Sequence, residues 1–327
     1  MPKAWRVHEY GHYKEKLRFE DIEAPEPPDG GAVIKVLAAG VNFPDLLAIA
    51  GKYQVKAPLP FTPGLEACGE VIAVGANSQL RVGQRIIASA PWGSFAEQMP
   101  VMDLAAFEAP AGMSDVQAAA MFITYQTSYF ALAYRAEMKP GETLLVHGGA
   151  GGVGTSAIQL GKAMGARVIA TAGTDAKLEI CKRCGADELI NYKTHDFVAE
   201  VKRITGGKGA DVIYDPVGGD VFDKSSKCIA FRGRLLVIGF ASGRIPEIAA
   251  NRILLKNIAV VGVHWGAYRL HDPQLIHTAQ SALAEHYAKG DIDPIIYGDA
   301  AMPLDQLPDA LAALEGRDSY GKVVLAP

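Results

Sequence analysis

The sequence predicts an α/β chain in which a doubly wound parallel sheet is inserted into a partly open β-barrel domain, and three observations predict it. Between about Thr124 and Gly262, short apolar runs alternate with helix-like runs. A glycine-rich turn, His147-Gly148-Gly149-Ala150-Gly151-Gly152-Val153-Gly154, lies between the first of those strands and the first of those helices. Before Ile123, and again in the tail, the pattern changes to closely spaced strands set off by Gly and Pro. The expected division is a first domain over 1–123, completed by 265–327, with the parallel-sheet domain at 124–264.

The first domain reads as mostly β. Val33 to Val41, Gly69 to Gly75 and Arg85 to Ala88 are strand-like, and Pro25 to Gly31 is a turn or loop. Short strands at that spacing suit a partly open barrel. In the middle, Thr143–Val146, Arg167–Thr171, Glu188–Ile190, Asp211–Asp215, Arg234–Gly239 and Ile258–Gly262 are strand-like, with helices beginning near Val153, Asp175, Asp196 and Asp220. Leu235-Leu236-Val237-Ile238 is continuously apolar, as a strand buried on both faces requires. The tail holds an amphipathic helix from about Asp272 to Lys289, a helix-like run Leu304–Leu314 and a strand Lys322–Leu325. A parallel sheet already complete at Val261 has no need of the tail, so the tail is expected to pack back on the first domain.

The chain has 327 residues, enough for two domains with their own cores, and its 49% hydrophobic and 21% charged content is ordinary for a globular enzyme. A net charge of −4 without a long basic block points away from nucleic acid. No apolar run is long enough to span a bilayer, and Met1-Pro2-Lys3-Ala4-Trp5-Arg6 has no apolar signal core. Cys68, Cys181, Cys184 and Cys228 make no disulfide framework, so a cytoplasmic, reducing location is expected.

Gly149, Gly151 and Gly154 form a G-x-G-x-x-G with a strand before it and a helix after it. A residue without Cβ lets the backbone turn tightly and approach a pyrophosphate, while the helix N-terminus aims unpaired N–H groups at its charge. A dinucleotide site is the expectation; a ligand-free strand-to-helix turn is the alternative. An NAD site carries an acid about twenty residues on, against the ribose 2′-hydroxyl. Ala172 stands there, Asp175 reads as an N-cap or first-turn residue, and a cation follows at Lys177. That combination favours NADPH, with Lys177 either facing a 2′-phosphate or solvated on its helix. Tyr192 either closes over the adenine ribose or simply packs. His147, at the end of a buried strand, reads as a packed histidine rather than a catalytic one.

Several blocks then carry a family in order: Ala39-Gly40-Val41-Asn42-Phe43-Pro44-Asp45, Pro63-Gly64-Leu65-Glu66-Ala67-Cys68-Gly69-Glu70-Val71, the glycine turn, Tyr214-Asp215-Pro216-Val217-Gly218-Gly219 and Gly321-Lys322-Val323-Val324-Leu325. With them the chain resembles the zinc-independent quinone oxidoreductases of the medium-chain dehydrogenase/reductase superfamily, along nearly its whole length. The resemblance implies a Rossmann doubly wound sheet inserted in a GroES-like catalytic domain, and a homodimer. It places Ala150, Gly151, Gly152 and Val153 on the pyrophosphate, and Gly173, Lys177 and Tyr192 at the 2′-phosphate end. Gly239, Phe240 and Val263 fall near the nicotinamide.

Alcohol dehydrogenases of that superfamily hold catalytic zinc with a Cys just before the early Asp and with a His-Glu pair. Here Asn42 and Leu65-Glu66 occupy those places, so no metal is expected. Cys181-x-x-Cys184 has no second ligand pair and reads as two helix residues. Without a Lewis acid, the natural hydride acceptors are already electron-poor, namely quinones and α,β-unsaturated carbonyls. The resemblance nominates Asn42, Asp45, Tyr53 and Thr127 around nicotinamide and substrate. Tyr53 is either proton donor or pocket lining, Asn42 a carboxamide donor to the nicotinamide ribose or substrate, and Asp45 either catalytic or a support for its loop. His264-Trp265 either lines the acceptor pocket or serves as an interface or core aromatic. The competing readings are an enoyl-thioester reductase and an NADPH-binding protein without turnover.

Overall fold

The computed structural model describes residues 1–327. It divides into two compact units, one of Met1–Ile123 with Pro294–Pro327 and one of Thr124–Asp293. The second boundary differs from the expected one. Residues 265–293, including the long tail helix, belong to the parallel-sheet unit, and the return to the first unit begins at Pro294. One reason lies in side chains: Gln126 donates through Nε2 to the Ile276 carbonyl and to Gln280 Oε1, which ties that helix to its own unit.

In chain order the elements are β1 (Lys3–Val7), α1 (Tyr13–Lys16), β2 (Leu17–Asp21), β3 (Gly31–Gly40), α2 (Phe43–Ile49), β4 (Glu66–Val74), β5 (Arg85–Ser89), β6 (Gln98–Met102), β7 (Ala106–Glu108) and α3 (Asp115–Tyr129). There follow β8 (Thr143–Val146), α4 (Gly152–Ala163), β9 (Arg167–Ala172), α5 (Asp175–Arg183), β10 (Glu188–Asn191), α6 (Phe197–Ile204), β11 (Ala210–Asp215), α7 (Gly219–Ser225), β12 (Ile229–Val237), α8 (Ala250–Lys256) and β13 (Ala259–Gly262). The chain closes with α9 (Tyr268–His271), α10 (Pro273–Lys289), β14 (Met302–Pro303), α11 (Leu307–Glu315) and β15 (Val324–Ala326).

The first unit is built on a seven-stranded sheet in the order β14-β15-β3-β4-β5-β7, with β6 also on β3. The ten-residue β3 is its spine, pairing antiparallel with β15, β4 and β6. Its register against β4 shifts between Val33 and Ile34 and again between Val36 and Ala38. Such irregularities add twist and bend a sheet around its core. That core gathers Ile34, Val36, Ile86, Phe95, Met99 and Leu325 with Leu307 and Leu311 of α11.

The second unit carries six parallel strands in the order β10-β9-β8-β11-β12-β13. The chain runs outward from β8 to β10, returns to the centre at β11 and runs outward again to β13. The order therefore reverses between β8 and β11, and in such sheets ligands bind beyond the carboxyl ends of the strands at that point. Leu145, Ile169, Ile213 and Leu235 fill the core, as strands covered on both faces require. β12 starts at Ile229, earlier than the pattern suggested, because Arg232 at φ +62° breaks the alternation inside it.

Candidate functional site

In the second unit, every cofactor position expected from the sequence lies at the carboxyl edge of the one sheet. Ala150–Val153 follow β8, Gly173 follows β9, Tyr192 follows β10, Gly239 and Phe240 follow β12, Val263 follows β13, and Lys177 stands in the first turn of α5. Gly148 takes φ +59°, which turns the chain out of β8. At Gly154 a Cβ would lie 2.3 Å from the Gly148 carbonyl oxygen, so only glycine lets α4 begin so close to the turn. The N-cap of α4 is Gly151, with no side chain to cap the first N–H groups. Those donors are left for an anion at the helix N-terminus. Ser128 fixes this turn from below, meeting the Val153 carbonyl, Ser156 Oγ at 2.8 Å and Tyr214 Oη at 3.0 Å. Thr127, its neighbour in α3, is half-buried.

At the end of β9, Ala172 is buried and supplies no carboxylate. A Cβ on Gly173 would come 2.7 Å from Tyr192 Oη and 3.4 Å from Lys193 Cε. Gly173 is therefore packed by Tyr192 and by Lys193, a cation that sequence reasoning missed; its signal was its place one residue after Tyr192. Thr174 is the N-cap of α5 and accepts from the Lys177 N–H, while Asp175 Oδ1 takes the Asn191 amide at 2.9 Å. Asp175 is thus a first-turn residue held away as a partner of Asn191. At the reversal point, Asp215 Oδ1 accepts from the Val217 and Gly218 N–H groups and shapes the loop on which Phe240 packs, 3.0 Å from the Cβ position of Gly218. Burial raises the Asp215 carboxyl above the usual range, against the pull of those two N–H groups.

His147 is 2% exposed, between Thr171 Oγ1 at 3.1 Å and Ser225 Oγ at 2.9 Å. Burial lowers its pKa to about 3, so it is a neutral packing residue. Trp265 is buried within the unit, with Nε1 on Gln126 Oε1 and the Arg269 guanidinium 5.0 Å from its ring centre, whereas His264 is exposed. Of the two readings of that aromatic, core packing fits. Cys181 and Cys184 are buried, and burial pushes both thiols up to about 12; Cys181 Sγ packs 2.9 Å from the Cβ position of Gly149.

In the first unit, Asn42 is the N-cap of α2 and Asp45 its third residue, whose Oδ2 accepts the Asn42 N–H at 2.7 Å. Asn42 Nδ2 donates to Glu66 Oε1 at 2.9 Å and to the Gly40 carbonyl at 3.2 Å. Both amide hydrogens are thus engaged inside the protein. The sequence expectation made Asn42 a carboxamide donor to the nicotinamide ribose or substrate; in the structure both amide hydrogens meet acceptors of the chain itself. Lys322 Nζ lies 2.8 Å from Glu66 Oε1 and donates to Asn42 Oδ1 and to the Val41 carbonyl. Glu66 Oε2 accepts the Ile123 N–H. Asp45 Oδ1 has no hydrogen-bond partner, and burial pushes the carboxyl up to about 7, opposed by the Asn42 N–H and the Lys322 charge. Tyr53 is half-buried in the loop after Gly51, a residue at φ +68°. Lys322 was missed as a site residue, although it opens the apolar strand run Val323-Val324-Leu325 and is almost wholly buried beside Glu66.

A family model described as "Alcohol dehydrogenase GroES-like domain" matches residues 28–110, and one described as "Zinc-binding dehydrogenase" matches 152–281. A quinone oxidoreductase-like protein 2 homolog of Nematostella vectensis is 40% identical over 89% of this chain and 80% of its own. A human synaptic vesicle membrane protein VAT-1 homolog is 32% identical over 97% of this chain and 84% of its own. The Escherichia coli quinone oxidoreductase, solved in complex with NADPH, superimposes with a TM-score of 0.92 at 31% identity, covering 99% of this chain and all of that one. The chain belongs to the zinc-independent, quinone oxidoreductase-like branch of the medium-chain dehydrogenase/reductase superfamily.

The zinc in the second family model's description does not fit these residues. Asn42 offers a carboxamide whose oxygen is taken by Lys322, and Glu66 already faces an ammonium. The nearby thiol, Cys68, is pushed up to about 12 by burial, so it is not a thiolate. No three His, Cys, Asp or Glu side chains converge on one ion position. No helix is long and apolar enough to cross a membrane.

Proposed function

We propose that this chain is an NADPH-dependent reductase of quinones or α,β-unsaturated carbonyls that works without a metal. The observation that carries the reading is the end of β9: a buried Ala172 where an NAD site needs an acid, Gly173 close against Tyr192 and Lys193, and Lys177 in the first turn of α5. Small residues with cations suit a 2′-phosphate, and a carboxylate there would repel it. The residues fit the cofactor elsewhere too, since Gly154 lets α4 begin hard against the turn and Gly151 leaves the α4 N-terminus uncapped.

When bound, NADPH supplies the hydride. Ala150, Gly151, Gly152 and Val153 would hold its pyrophosphate, Gly173, Lys177 and Tyr192 its 2′-phosphate end, and Gly239, Phe240 and Val263 the nicotinamide side. Tyr53 is the proposed donor to the oxygen that gains charge as the acceptor is reduced, and Thr127 contacts the nicotinamide side. Asp45 supports the loop that carries Asn42, because its carboxylate holds the Asn42 N–H. The acceptor must accept hydride unaided, since Glu66 and Lys322 neutralise each other where a Lewis acid would need ligands.

The reading includes a homodimer through the outer strand β13. Leu254 and Leu255 of α8 are 74% and 77% exposed and Phe231 is 67% exposed, and Leu255 and Phe231 line the same surface hollow. Large exposed apolar side chains beside a sheet edge suit a self-complementary contact. Four free, buried thiols agree with a reducing, cytoplasmic location.

The test is NADPH oxidation followed at its absorbance maximum, with and without a simple benzoquinone or an enone, and with NADH as control. Acceleration by the acceptor with NADPH preferred supports the reading. A chain that binds NADPH but oxidises it no faster with any quinone or enone overturns it in favour of binding without turnover.

A further inference from the structure

Beyond the amino ends of β11 and β12, on the edge of the parallel sheet opposite the cofactor positions, lies an open hollow of about 340 Å³. Four lysines line it: Lys202 from the last turn of α6, Lys208 before β11, Lys227 before β12 and Lys256 at the end of α8. No aspartate or glutamate does. Lys208 is answered by Asp211, 2.8 Å away. Lys256 Nζ donates to the Ser226 carbonyl at 3.0 Å but meets no carboxylate, and the Lys202 and Lys227 ammoniums form no ion pair. The nearest acids along the chain are already engaged, Glu200 with Arg203 and Asp223 with Arg244. Burial pushes the Cys228 thiol in this hollow up to about 12, while the Lys256 and Lys202 charges pull it the other way, so both ammoniums stand near it. Three uncompensated cations therefore share one hollow in a chain of net charge −4.

Helix ends do not account for these lysines. Cations can serve the last carbonyls of a helix, but at α6 the backbone already does so: the Thr205, Gly206 and Gly207 N–H groups donate to the Val201, Arg203 and Lys202 carbonyls. After α7, the Lys224 and Ser225 carbonyls take the Lys227 and Cys228 N–H groups. Clustered like charges repel and oppose folding, and an anion in the hollow removes that repulsion. Phe231 stands on the same hollow, 67% exposed and with no other ring against it. A bare aromatic face beside cations is the pairing that stacks a nucleobase and holds its phosphates.

We propose that this hollow is a second nucleotide site, which binds a nucleoside polyphosphate with its phosphates among Lys202, Lys227 and Lys256 and its base on Phe231. It lies wholly within the second unit, away from the glycine turn, and goes beyond the reductase reading without resting on it.

The test uses the full chain with NADPH at saturation, which keeps other nucleotides out of the turn after β8. ATP, tripolyphosphate and adenosine are titrated by calorimetry at low salt without divalent cations. ATP is expected to saturate one site per chain with a Kd below about 1 mM, and adenosine to show no binding. Lys202→Gln/Lys227→Gln should weaken ATP and tripolyphosphate alike by about tenfold. The same variant should melt no lower than wild type, because it removes repelling charges. Phe231→Ala should weaken ATP by about fivefold and leave tripolyphosphate within a factor of two.

ATP that does not saturate, adenosine that binds as tightly as ATP, or ATP binding unmoved by either variant would overturn the proposal. A lysine variant that melts lower with ATP binding unchanged would assign the lysines to the fold and overturn it too. Leu255, on the same hollow, is shared with the proposed dimer face, so the mass in solution is measured alongside, and a dimer that excludes ATP overturns the site. A chain that binds no NADPH defeats the cofactor reading, and the hollow variants still decide this one.

Discussion

Lys322 Nζ stands 2.8 Å from Glu66 Oε1, an ion pair with both side chains almost wholly removed from solvent. Breaking such a pair from one side leaves an uncompensated buried charge, which typically costs about 3–5 kcal/mol, whereas removing both charges is close to neutral. Lys322→Met alone is therefore expected to lower the unfolding free energy by several kcal/mol. Lys322→Met/Glu66→Gln should recover most of it. Urea unfolding of the two variants checks this, and a single variant as stable as wild type would show that the pair does not support the fold.

The 2′-phosphate end makes its own prediction. Lys177→Ala and Lys193→Ala should each weaken NADPH by about tenfold, equivalent to roughly 1.4 kcal/mol, and leave NADH nearly unchanged. Direct binding titrations with both nucleotides decide it. Equal weakening of the two would refute the cofactor preference.

The glycines of the turn are not equivalent. Gly154→Ala places a Cβ 2.3 Å from the Gly148 carbonyl oxygen, against backbone that cannot move aside. It is expected to abolish nucleotide binding and lower thermal stability. Gly151→Ala meets the same oxygen at 3.4 Å with an ordinary backbone φ of −77°, so the fold should tolerate it. Melting curves with and without NADPH separate the two outcomes.

Stability against pH carries two opposite signatures. Asp45 titrates at about 7 in the folded chain, well above an unfolded aspartate, so the native state binds more protons. Its contribution to stability is greatest in acid, declines as pH rises from about 4 to about 7, and is constant above that. His147, lowered to about 3, does the reverse: its contribution is complete above about 6.5 and is lost as pH falls toward 3. Unfolding free energies measured between pH 4 and 8 for wild type, Asp45→Asn and His147→Gln should show difference curves of opposite slope. Parallel curves would contradict both assignments.

The proposed dimer face is tested by Leu254→Glu/Leu255→Glu. Sedimentation should report half the wild-type mass with NADPH binding retained, because neither residue lies at the carboxyl edge of the sheet. An unchanged mass would remove that face from the proposal.

Much of the second unit was legible in the sequence because its signals are local. Alternating strand and helix patterns, the spacing of Gly149, Gly151 and Gly154, and the missing acid at Ala172 each lie within a few turns of chain. The start of β12 was not legible, since Arg232 at positive φ breaks the pattern from within. Neither was α3, a largely buried helix whose apolar residues lie on all sides, leaving no stripe to read. The tail helix α10 was found as a helix but assigned to the wrong unit, because amphipathicity shows that a face is covered and not what covers it.

By itself the sequence determined the parallel-sheet fold, the dinucleotide turn and the absence of zinc-type ligands at Asn42 and Leu65, all properties of residue type and short spacing. Only the tertiary structure decided which way the Asn42 amide faces. Its partner Lys322 lies 280 residues away, and β15 lies antiparallel on β3 at Gly40 and Ala39, just before Asn42. An amide presents a donor or an acceptor according to the charge placed against it, and that charge is supplied by folding.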